Sequence, residues 1–104
     1  DLADGVIVCA GTVLTVDIAI GRHTHLNTRC TVGHDVVIGK FCTVSSQCNF
    51  TGGVQVGDDA FFGTACTVIP GKKIGAGARV GAGSVVIRSV KAQQTVFGNP
   101  AKAN

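Results

Sequence analysis

The chain has 104 residues, 45% of them apolar, 14% charged and 5% aromatic, with a formal net charge of +3. That length holds one domain, and scattered cations without interleaved aromatics argue against nucleic acid as a partner. No run of eighteen apolar residues and no charged-then-apolar leader occurs, so neither a membrane partner nor secretion is expected, and the cytoplasm is the expected location.

From the first residues onward the chain is built on a period of six. The apolar anchors are Leu2, Val8, Leu14, Ile20, Leu26, Val32, Ile38, Val44, Phe50, Val56, Phe62, Val68, Ile74, Val80 and Val86. Given the abundance of Leu, Ile, Val and Phe, the chance of such a run in any of six frames is on the order of one in ten million, so the period is real. Six matches neither a helix nor a simple strand alternation. Each hexad is therefore read as a short strand plus a corner, with three hexads closing a triangle and residues eighteen apart stacking on paired parallel strands. Fifteen hexads predict five coils over residues 2–91, followed by a tail over 92–104.

The residue after the anchor is Gly at 21, 33, 39, 57, 63, 75 and 81, read here as a corner that needs positive φ. Four residues after the anchor the chain is small or β-branched, as a narrow interior demands, except at Lys72. Lys72 is expected to reach outward from a corner distorted by Pro70 and Gly71. Cys30, Cys48 and Cys66 fall eighteen apart between Thr12 and Ser84, forming a ladder of buried small hydrophobes rather than disulfides or metal ligands. Outward Ile7, Val13, Val37, Phe61, Ile69, Val85 and Ile87 are too many for a monomer, so a homotrimer is expected. Lys72, Lys73, Arg79, Arg88, Lys91 and Lys102 thicken the positive charge toward the C-terminal coils, which suits a phosphorylated cofactor, although such a cluster is more often a solvated face.

The least regular column runs Val16, His34, Gly52, Pro70 and Arg88. It sets a histidine beside a coil without a side chain and next to Asp35. A carboxylate can orient the imidazole and favour its protonated form, although one exposed His–Asp pair taken alone is more often incidental.

The segment NTRCTVGHDVVIG from Asn27 to Gly39 resembles the part of nucleotide-aminosugar N-acetyltransferases and sialic acid O-acetyltransferases that carries their catalytic histidine. The stretch from Gly52 to Val86 and the closing VFGNPAK from Val96 to Lys102 are similar to theirs as well. The resemblance implies a left-handed parallel β-helix, a hand that the rule for crossovers alone would not give. It further implies direct transfer of acetyl from acetyl-CoA to an amino group of a nucleotide-linked sugar, without metal, in a homotrimer whose sites lie between subunits. His34 would be the general base, Asp35 its support, and Asn27 a holder of the acceptor. Gly52, Thr64, Ala82 and Gly83 would line acetyl-CoA. Thr43 stands where the family commonly has a second histidine on that cofactor, so this contact is expected to weaken or pass to His25. Relatives carry an N-terminal βαβ domain, and with no helical period and no Met here, a preceding segment is expected to have been removed. Alternative readings are a sugar O-acetyltransferase and a non-catalytic trimerisation scaffold. A three-histidine metal hydrolyase is disfavoured because His23, His25 and His34 share no column.

Overall fold

A computed structural model describes residues 1–103, and no helix occurs among them. Fourteen two-residue strands recur every six residues from Ile7–Val8 to Val85–Val86, each ending on an anchor. Strands eighteen residues apart pair in parallel, as in Ile7↔His25, Val13↔Thr31 and Ala19↔Val37. Three flat faces result. Face 1 stacks Ala19–Ile20, Val37–Ile38, Gln55–Val56 and Lys73–Ile74, with Leu2 and Val90 bridging its ends. Face 2 runs from Ile7–Val8 through His25–Leu26, Thr43–Val44, Phe61–Phe62 and Arg79–Val80 to Thr95–Gly98. Face 3 holds Val13–Leu14, Thr31–Val32, Asn49–Phe50, Thr67–Val68 and Val85–Val86. The chain is a left-handed parallel β-helix of five coils and part of a sixth.

Anchors and the residues four beyond them fill the interior. Leu26, Val32, Phe62, Cys30 and Cys48 are fully buried, and Phe50 meets Phe62 edge to face at 4.9 Å. The ladder of free cysteines stands as expected, the Cys48 thiol donating to the Gly63 carbonyl at 3.1 Å. Among the described residues no buried side-chain nitrogen or oxygen lacks a partner. Thr24, for instance, donates to Gly39 O at 2.7 Å and accepts from Cys42 N at 3.1 Å.

The corner chemistry differs from expectation. Positive φ falls three residues after the anchor, at Gly5, Gly11, Asp17, His23 and onward, and not at the glycines that directly follow the anchor. Those glycines are selected by crowding: a Cβ on Gly57 would stand 2.6 Å from the backbone nitrogen of Ala76 in the next coil.

The last coil also departs from the period. Val90 pairs with Ile74, and Thr95 with Arg79, each two residues short of the eighteen-residue step. Val90 therefore joins the anchor column of face 1 instead of covering Lys72. Ser89 stabilises this shortcut by accepting from Lys73 N at 3.0 Å. Lys72 itself is half-buried. An apolar side chain stacked over it would have buried its ammonium without a partner.

The two ends are unlike. At the C-terminal end Thr95–Gly98 turns back through Ala101–Ala103, with Gly98 N donating to the buried Ser84 hydroxyl at 3.1 Å, and Val96 is only 5% exposed. At the other end the anchors Leu2 and Val8 are 49% and 37% exposed.

Candidate functional site

His34 lies on the corner between faces 3 and 1, two residues after the anchor Val32. Backbone ladders fix that corner: Asp35 N donates to Val16 O at 3.1 Å, and Gly53 N to His34 O at 2.9 Å. Asp35 has φ 59°, a left-handed conformation that a short polar residue tolerates. Its Oδ2 lies 3.0 Å from His34 Nδ1. Both side chains are about two-thirds exposed, 68% and 65%, so water screens the pair and its value is orientation rather than stability. With Nδ1–H donating to the carboxylate, Nε2 keeps its lone pair and can accept a proton. One coil on, a Cβ at Gly52 would overlap the imidazole around Nε2. The ring therefore lies against bare backbone, as the column reading anticipated.

The remaining candidates stand elsewhere. Thr64, Ala82 and Gly83 are exposed on the corner between faces 2 and 3. Gly83 has φ 72°, donates to Thr64 O at 2.7 Å, and has no atom within 4 Å of where its Cβ would be. At Gly63 and Gly81 a Cβ would press on Ala82 and Phe97, so these two positions of the corner lack side chains by steric necessity. Asn27 heads the same corner, its Oδ1 accepting from Thr28 N at 2.8 Å. Thr43 is on face 2, between His25 and Phe61. Within one chain, then, His34, Asp35 and Gly52 come together. Asn27, Thr64, Ala82 and Gly83 share a different corner, across face 3, and Thr43 joins neither group.

One further feature was not singled out in the sequence. An open cleft of about 550 Å³ beside the corner of Asn27 is lined by Ala10, Gly11, Thr28, Arg29, Ser46 and Gln47. The eighteen-residue spacing of Gly11, Arg29 and Gln47 was the signal for it. Charge is also divided along the axis: all six aspartates lie in residues 1–59, whereas residues 60–104 carry six cations and no acid.

Residues 53–88 match a family model described as hexapeptide repeat of succinyl-transferase. The structure is similar to WeeI from Acinetobacter baumannii AYE, with 36% identity and a TM-score of 0.89 over 99% of this chain and 54% of that one. A hexapeptide transferase family protein from Anaplasma phagocytophilum is 28% identical with a TM-score of 0.91, over 100% of this chain and 67% of that one. Serine acetyltransferase from Neisseria gonorrhoeae is 26% identical with a TM-score of 0.86, over 90% of this chain and 40% of that one. The chain thus spans about half the length of WeeI and less of serine acetyltransferase. A search of curated proteins gave no match. By its repeat, its eighteen-residue register and these likenesses, the chain is a hexapeptide-repeat β-helix of the kind found in acetyltransferases.

Proposed function

We propose that this chain is the acyl-transfer unit of an acetyl-CoA-dependent acetyltransferase that acetylates an amino group of a nucleotide-linked amino sugar. The observation that carries the reading is the imidazole of His34, oriented by Asp35 at 3.0 Å and laid against the bare backbone of Gly52. A base must present a free lone pair in a place that a substrate can reach, and Nε2 meets both conditions. As the acceptor amine attacks the thioester carbonyl, Nε2 takes its proton. As the tetrahedral adduct collapses, the imidazolium returns a proton to the departing thiolate of coenzyme A. No covalent enzyme intermediate is required.

The extended arm of acetyl-CoA suits the strip formed by Thr64, Ala82 and Gly83, where short side chains leave amides and carbonyls accessible. That strip and His34 border opposite edges of face 3. Three copies that turn face 3 toward a common axis would set the His34 corner of one against the Thr64 corner of the next. A homotrimer with sites between subunits accounts for both half-sites in this way, and Asn27 on the second corner would then meet an acceptor held at His34.

The test is acetyl transfer measured as coenzyme A release with nucleotide-linked amino sugars, and with sialic acid as the hydroxyl alternative. His34→Ala should lower the rate by about 10²- to 10⁴-fold while leaving acetyl-CoA binding in place. Undiminished turnover in that variant would remove the base assignment. Acetylation of the hydroxyl substrate alone would change the acceptor class.

A further inference from the structure

We propose that Cys9, with His25 as its proton acceptor, is a site of covalent modification by small anionic disulfides. Four of the five cysteines are buried, and Cys9 alone is partly exposed. Its Sγ lies 3.4 Å from His25 Nε2, the separation of an S–H···N contact. A thiol attacks only as its proton leaves, so an imidazole in this position supplies what an isolated surface cysteine lacks. The scaffold holds the pair together: Cys9 N donates to Leu26 O at 2.9 Å, and His25 is fixed by strand pairing to Ile7 on one side and Thr43 on the other.

The residues that follow Cys9, Ala10 and Gly11, line the open cleft that also holds Arg29 and the hydroxyls of Thr28 and Ser46, 3.1 Å apart. Arg29 is exposed and makes no ion pair among the described residues. A disulfide bearing carboxylates would be drawn to this cation, whose backbone nitrogen donates to the carbonyl of Ala10, the residue after Cys9, at 3.1 Å. In the exchange, a bond forms between Cys9 Sγ and one sulfur of the disulfide as its S–S bond breaks. His25 takes the thiol proton, and the expelled thiolate recovers a proton from the imidazolium or from water. The product is a mixed disulfide on Cys9 and one free small thiol. No further oxidant is needed.

The experiment incubates the full chain with oxidised glutathione at neutral pH and follows the adduct by intact mass and peptide mapping. We expect one glutathionyl group per chain, on Cys9, and none on Cys9→Ser. His25→Ala should react at least about tenfold more slowly, and added imidazole should restore much of that loss, which a merely structural role for His25 would not allow. Arg29→Gln should slow glutathione disulfide more than the uncharged disulfide of 2-mercaptoethanol. The proposal is overturned if Cys9→Ser is labelled like the parent. It is equally overturned if His25→Ala, with an unchanged circular dichroism spectrum, reacts at the parental rate. Should His25→Ala misfold, His25→Gln takes its place under the same criterion.

Discussion

At the scale of single residues, the site depends on what is absent at Gly52. A Cβ there would overlap only the far end of an exposed imidazole, so Gly52→Ala should leave the melting temperature almost unchanged while displacing His34. Misplacing a base by about 1 Å costs on the order of 10²-fold in rate, and a loss of that size without loss of stability is the expected result. Asp35→Asn is the complementary test. Asn accepts the left-handed backbone at φ 59° but offers no carboxylate to the imidazolium. Turnover should fall by about ten- to a hundredfold with the fold intact, measured by the same coenzyme A release. The His–Asp adjacency was visible in the chain as written. The tautomer it favours and how closely Gly52 approaches Nε2 were not, because the first depends on the rotamers of the pair and the second on the distance between coils.

At the scale of the hexad, two kinds of glycine separate. Gly57 has ordinary φ but faces backbone of the next coil, whereas Gly71 has φ 76° and open space where its Cβ would be. Gly57→Ala should destabilise by about 1 to 3 kcal/mol, since backbone yields little to overpacking. Gly71→Ala should cost about 1 kcal/mol, the strain of a left-handed alanine. Urea midpoints of the two variants check the order. Spacing could find the glycines but not distinguish these causes, since both recur every six residues. The interior thiols give a second expectation at this scale. Burial raises the Cys42 pKa, so the folded state holds that proton more tightly than the unfolded chain does. Its contribution to stability is complete below the ordinary thiol range near 8.5 and is lost as pH rises through it, by at most about 1.4 kcal/mol per pH unit. Cys42→Ala should flatten that alkaline decline when urea midpoints at neutral and alkaline pH are compared.

At the scale of the molecule, the division of charge and the two half-sites proposed on opposite edges of face 3 make assembly the deciding question. The ladder Thr31–Asn49–Thr67 runs down that face, with Thr31 donating to Asn49 Oδ1 at 2.7 Å. If three copies meet there, Asn49→Arg gathers like charges around one axis. The expected outcome is dissociation to monomers by analytical ultracentrifugation and loss of transfer, although His34 and Asp35 are untouched. The six cations of the C-terminal coils, with no acid among them, should also make acetyl-CoA binding sensitive to salt. A several-fold weaker affinity is expected as ionic strength rises from about 0.05 to 0.5 M, since exposed charges are screened over that range.

The hexad period by itself determined the prism, its five coils, the cysteine ladder and the neighbourhood of His34 and Gly52. Each of these follows once residues eighteen apart are stacked, and stacking is the one means by which so short a repeat can bury its anchors. Only the tertiary structure decided which glycines serve left-handed corners and which serve close contact. It also decided that the last coil omits two residues, so that Val90 covers Ile74 instead of Lys72, and that Cys9 meets His25. These outcomes depend on distances between neighbouring coils of a few ångströms, and a repeat read along one dimension carries no measure of them.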